Sequence, residues 1–191
     1  SYGQFNKNFI RHNVLSYAIE LLTSKREESA CVHRSYVRKL YDFFTLNEDE
    51  SSDKKQALKI DLEHIKSWEN LHDANIGIKK PQDLTICYLC GPEPQNDFKE
   101  LISLGVLPQN IWAFEIDRAT YQKAIDSFGK NQIPQPHILK QKIETFFSNT
   151  PKKFDIIYVD ACGSVPSEQH ALRCITHACF YHRLESPGVI I

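Results

Sequence analysis

From Pro81 onward, short apolar runs alternate with segments of helical period, and this alternation limits the fold more than any other feature of the chain. A run such as "FDIIYV" (Phe154 to Val159) has no polar face, so a strand built from it must be covered on both sides. Strands of that kind belong to parallel sheets, which need helical crossovers between them. Strands are expected at Leu84 to Leu89, Ile111 to Phe114, His137 to Leu139, Phe154 to Val159 and Val189 to Ile191. Helices are expected between them at Asp97 to Leu107, Thr120 to Phe128, Glu144 to Ser148 and Ser167 to His182. The expected fold class over residues 81–191 is therefore α/β, a parallel sheet with helices on both faces.

The first 80 residues have a different character. Phe5, Phe9, Ile10, Val14, Ala18, Ile19, Leu21 and Leu22 recur at helical spacing, and residues 25–46 repeat the pattern with Val32, Tyr36, Val37, Leu40, Tyr41 and Phe44. After the polar break "NEDESSD", residues 56–71 read as a third helix, with Asp53 as its expected cap. An N-terminal helical region, 1–80, thus precedes the sheet domain, 81–191. Lys7, Arg11, Lys25, Arg26, Arg34, Arg38 and Lys39 exceed the acids of residues 1–45 by three charges. Arg34 and Arg38 are expected to share a helix face with Tyr41, which suits either a solvated surface or an RNA or DNA footprint of paired phosphates and a stacked base.

With 191 residues, 41% of them hydrophobic, the chain can bury one full core. A net charge of −1 provides no global field for nucleic acid, so any such partner must be recognised locally. The six cysteines have no regular spacing and no apolar run reaches membrane-span length, which points to a reducing, cytoplasmic setting. The chain contains no methionine, and so reads as a piece of something longer.

In open parallel sheets, ligands bind beyond the carboxyl ends of the strands. The first strand runs into "ICYLCGPEPQNDF", where Gly91 allows close approach of the backbone and Pro92 and Pro94 fix a turn into the next helix. One glycine and two prolines fit a rigid β-to-α turn as well as a nucleotide loop. Glu115 follows the second strand, some twenty residues on, where an acid can accept ribose hydroxyls.

These segments resemble the class I, S-adenosylmethionine-dependent methyltransferases. "YLCGPEP" is similar to the family's glycine motif, "AFEID" to its ribose-binding acid motif, "FDIIYVDACGSVP" to its strand-four catalytic motif and "SPGVII" to its turn into strand five. The resemblance implies a Rossmann-like sheet of order 3-2-1-4-5. It also implies S-adenosylmethionine held by Cys90, Gly91 and Pro92, by Glu115 and Ile116, and by Gln141 and Lys142, with Asp160 as the catalytic residue. Family members continue into a further hairpin, whereas this chain ends in strand five, so the domain is expected to be C-terminally incomplete and to self-associate or meet a partner at that edge.

Within the strand-four motif, "DACGSVP" is similar to the "DPFGSP" of tRNA guanine N2 dimethyltransferases at Asp160, Gly163 and Ser164, with the proline one place late at Pro166. That likeness implies a nitrogen acceptor such as a nucleic-acid base. The string also resembles the "DAPC" of RNA cytosine C5 methyltransferases with its proline deleted, which would make Cys162 a nucleophile. A one-residue shift re-aims that thiol, and a small buried cysteine is the plainer reading. Asp160 itself suits catalysis or a helix cap.

The sequence departs from the family at two places. Tyr88, Leu89 and Cys90 stand where an acid usually ends strand one, and Lys142 stands where an acid usually meets the adenine amino group, leaving Glu144 or backbone groups to substitute. Two functions thus stay open: a methyltransferase, or a methyltransferase-like nucleotide-binding or interaction module without catalysis. Cys87 and Cys90 point to opposite faces of a strand, which disfavours zinc. His170, Cys174, His177 and Tyr181 share a helix face, but no further ligand is apparent from sequence, so that face reads as packing and no metal is expected.

Overall fold

The computed structural model describes residues 2–46, 51–91, 93–130, 136–160 and 170–191, with side chains from residue 6 on. Two compact units emerge, one formed by the chain up to Ser24 together with Lys79–Ile191, the other by Lys25–Ile78.

The first unit is a five-stranded parallel sheet of order β3-β2-β1-β4-β5. Its strands are β1 (Ile86–Leu89), β2 (Ile111–Phe114), β3 (His137–Leu139), β4 (Phe154–Tyr158) and β5 (Leu184–Ile190). The helices of this unit are α1 (Tyr2–Leu22), α5 (Gln95–Ser103), α6 (Arg118–Lys130), α7 (Ile143–Asn149) and α8 (His170–Phe180). This is the α/β architecture expected from the alternating pattern, in the Rossmann-like strand order that the resemblance implied. Pleating divides β1 between two cores: Ile86 and Tyr88 join Phe98, Leu101, Ala124 and Phe128 of α5 and α6, while Cys87 joins Phe147 and Cys174 of α7 and α8. Both faces are thus sealed, as a strand with no polar side requires.

The division of the chain differs from a single boundary near residue 80. Leu15, Ala18, Ile19 and Leu22 of α1 are buried in the same core as Ile86 and Tyr88, so α1 belongs with the sheet. A helical stripe records that one face is buried without recording what covers it. Burying each Leu or Ile is worth roughly 1.5–3 kcal/mol, enough for this helix to count in the stability of the sheet unit.

At the opposite end of the strands from the cleft described below, Asp155 is almost wholly buried. Its Oδ1 lies 2.5 Å from Lys79 Nζ and its Oδ2 accepts the Thr85 N–H at 2.8 Å. A buried carboxylate is tolerable only when compensated in this way.

The second unit contains α2 (Tyr36–Leu46), α3 (Ser52–Ala57) and α4 (Leu62–Ile76). Residues 25–35, expected to be helical, instead form turns around a buried Arg26 that donates to the Ile76 carbonyl at 2.5 Å. The third expected helix is two helices. Ser51, not Asp53, caps α3 by accepting the Lys54 N–H, and Asp61 caps α4 by accepting the Glu63 N–H. Arg34 precedes α2 and so does not lie on its face. It bonds Asp73, and Arg38 bonds Glu69, each at 2.8 Å. No helix among the described residues is long and apolar enough to cross a membrane.

Candidate functional site

Every strand of the sheet points its carboxyl end the same way, so the loops after β1, β2, β3 and β4 converge. The convergence encloses a cavity of about 200 Å³. It is lined by Cys90 and Gly91 after β1, Glu115 and Ile116 after β2, Gln141 and Lys142 after β3, and Asp160 after β4. Pro92, also nominated from sequence, lies outside the described residues, as do Cys162, Gly163, Ser164 and Pro166.

The β1 loop is pinned from beneath. Tyr88, fully buried, donates its hydroxyl to the Pro94 carbonyl at 3.1 Å, and the Cys90 N–H donates to the Phe114 carbonyl at 2.8 Å. Burial pushes the Tyr88 phenol well above its ordinary range, so it stays a hydrogen-bond donor. Tyr88 thus ties the turn to its own strand. A Cβ placed on Gly91 would meet nothing within 4 Å, so its missing side chain leaves open space rather than relieving a clash.

Glu115 is oriented by its own backbone. One oxygen, Oε1, accepts the N–H groups of both Ile116 and Asp117 at 2.8 Å. Those bonds hold the carboxylate at the cavity wall and direct the pair of donors to a single oxygen. Asp117 then starts α6 by accepting the Thr120 N–H at 2.8 Å, which holds its carboxyl below the usual range.

Asp160 is exposed at the cavity edge, and its charge reaches inward. Tyr158 is pushed up to about 12 by burial first and by Asp160 second. Asp97, on α5, is raised by burial, with Arg11 of α1 opposing through a charge pair at 2.5 Å and Asp160 adding to the rise. Asp97 does not line the cavity itself; it is paired with Arg11 of α1. Nothing in the pattern around Asp97 marks it, because its partner is 86 residues away.

Sequence reasoning also missed Ile143 and His170, which line the cavity from the first turns of α7 and α8. Glu144, nominated as a substitute adenine contact, does not line it. Cys87 of β1 and Cys90 just after it are buried in separate cores, which accords with the spacing argument.

No protein-family model matches the chain, and neither does any curated protein. Solved structures with similar folds include S-adenosylmethionine-dependent methyltransferases and other methylases. The ribosomal protein L11 methylase from Lactobacillus delbrueckii subsp. bulgaricus is 17% identical with a TM-score of 0.44, the match covering 66% of this chain and 58% of that one. An S-adenosylmethionine-dependent methyltransferase from Clostridium acetobutylicum is 17% identical with a TM-score of 0.40, covering 81% and 55%. A putative caffeoyl-CoA O-methyltransferase from Staphylococcus aureus is 14% identical with a TM-score of 0.42, covering 82% and 70%. The chain thus spans less than two thirds of the length of the first two.

Proposed function

We propose that the chain is an S-adenosylmethionine-dependent methyltransferase acting on a nitrogen acceptor such as a nucleic-acid base. One observation carries this reading: residues nominated from four separate segments line a single cavity at the carboxyl ends of the strands. Ligand pockets usually measure about 300–1,000 Å³, so this cleft suits the nucleoside part of a ligand better than a whole cofactor.

Each residue then has a role. Gly91 leaves room for close approach to the cofactor, and Glu115 accepts ribose hydroxyls through the oxygen not taken up by its backbone bonds. Ile116, Gln141 and Lys142 flank the base. Asp160 would orient the acceptor amine and take its proton, directly or through solvent, while bound S-adenosylmethionine would supply the methyl group from its sulfonium and leave as a neutral thioether.

A second reading, a nucleotide-binding module without catalysis, is favoured by Lys142. A lysine at the cavity wall cannot accept an amino hydrogen. RNA or DNA as partner rests on the substrate class and on the basic N-terminal segment, where Arg34 and Arg38 already pair with Asp73 and Glu69.

Calorimetric titration of S-adenosylmethionine and S-adenosylhomocysteine into the protein tests the proposal. Saturable one-to-one binding of both is expected. Glu115→Gln should weaken it at least tenfold, since a hydrogen bond to a charged group is worth about 1.5–3 kcal/mol and about 1.4 kcal/mol is tenfold. Absence of binding by either ligand would defeat both the enzyme reading and its cofactor.

A further inference from the structure

We propose that Glu144, His170 and Cys174 form a binding site for a zinc-class transition-metal ion, with water completing the coordination. His170 and Cys174 are one turn apart on α8 and face the same way. The sequence presents these two ligands but not the third, which comes from α7. One ligand atom from each of Glu144, His170 and Cys174 lies within 4.8 Å of the others, and Glu144 Oε1 is 3.8 Å from His170 Nε2. Tetrahedral bonds of about 2.0–2.3 Å put ligand atoms roughly 3.3–3.7 Å apart, a contraction within reach of glutamate and histidine rotamers.

A second observation is independent of that spacing. Glu144 is 8% exposed, and its Oε2 is buried with no hydrogen-bond partner among the described residues. The nearby guanidinium of Arg173 stays 3.8 Å from Oε1 and leaves Oε2 unanswered. Buried carboxylate oxygens are rarely left in this state, because the desolvation cost is recovered only through a direct contact. A bound cation provides one.

The donor set defines the class of ion. One thiolate, one imidazole and one carboxylate suit zinc or cobalt, whereas magnesium and calcium prefer all-oxygen shells. Three protein ligands leave one position for water, the composition of an open site rather than a closed structural one. His170 also lines the cleft, which puts the ion at the cleft's edge. Cys174 is a buried free thiol, and a thiolate is the metal-ligating form, so metal binding must displace its proton. The inference does not depend on the methyltransferase reading.

The test uses the full chain, reduced and stripped with a chelator, then titrated with Co²⁺. One equivalent should produce a near-ultraviolet thiolate-to-cobalt band and the visible bands of a tetrahedral ion, both abolished by Zn²⁺ and unaffected by Mg²⁺. Calorimetry in buffers of different ionisation enthalpy should register proton release on Zn²⁺ binding. Cys174→Ser should remove the thiolate band. His170→Ala and Glu144→Gln should weaken binding by an order of magnitude or more, while Cys179→Ser, at an exposed cysteine of the same helix, should leave it unchanged. His170 is 40% exposed at its side chain, so its variant folds whatever becomes of the core cysteine. Absence of the thiolate band in the wild type, or its survival in Cys174→Ser, overturns the site.

Discussion

Tyr88 and Pro94 are joined by a buried hydrogen bond of 3.1 Å, from the phenol of β1 to the carbonyl that opens α5. Through it the sheet fixes the turn that forms one wall of the cleft. Tyr88→Phe keeps the ring and its packing and removes only the donor, leaving a buried carbonyl to bear its desolvation. The expected loss is about 1–3 kcal/mol, or roughly 2–12 °C in Tm for a chain of this size. A thermal melt unchanged from wild type would show that this bond does not contribute to the stability of the fold.

Gly91 lines the same wall, and its missing Cβ faces open space. Gly91→Val should therefore fold with stability within about 0.5 kcal/mol of wild type while occupying the volume a ligand needs. Denaturant titration checks the first outcome and S-adenosylmethionine calorimetry the second. Unchanged affinity in a folded Gly91→Val would place the ligand elsewhere.

The strands were readable from sequence because continuous apolar runs leave few alternatives, and β2 and β3 have the expected bounds. The start of β5 was not. "ESPG" reads as a turn, yet pairing extends from Phe154↔Leu184 to Ile156↔Val189 across a register shift that accommodates the proline and glycine. The cleft residues were legible because strand direction alone brings the ends of β1 to β4 together. The place of Ile143 and His170 in the lining was not, because it depends on how α7 and α8 pack, and a periodic stripe does not encode the neighbouring helix.

Arg11 and Asp97 make the charge pair that ties α1 to α5, with side chains 13% and 10% exposed. Removing either partner strands the other, so Arg11→Met and Asp97→Leu should each destabilise, by about 3–5 kcal/mol if the pair behaves as fully buried. The double variant should recover most of that loss. The pH dependence has a definite sign. Asp97 is raised in the folded state, so the folded protein holds this proton more tightly than the unfolded chain does. The stability from this site is present below the unfolded carboxyl range and declines as pH rises through the raised value. The double variant, lacking that titration, should gain on wild type as pH rises from the unfolded carboxyl range through the raised value, a difference that paired melts would reveal. A constant offset across that range would refute the assignment.

Asp160 follows β4 at the cleft and raises both Tyr158 and Asp97 by its charge. Asp160→Asn preserves shape and removes that charge, so both groups should titrate lower than in wild type. For Tyr158, pushed up to about 12 mainly by burial, ultraviolet difference titration should show a modest downward move, since the larger cause remains. The same variant separates the two functions. An amide can still hydrogen-bond an acceptor but cannot take its proton, so cofactor affinity should stay within a few-fold of wild type while methyl transfer to an identified acceptor falls, typically by about 10²–10⁴ where proton transfer limits the step. Full turnover in Asp160→Asn would make this residue a structural acid of the strand end. Loss of cofactor affinity with turnover would instead place it against the cofactor, and the tyrosine titration, which does not depend on any ligand, would show whether the substituted chain still holds the geometry that makes the comparison fair.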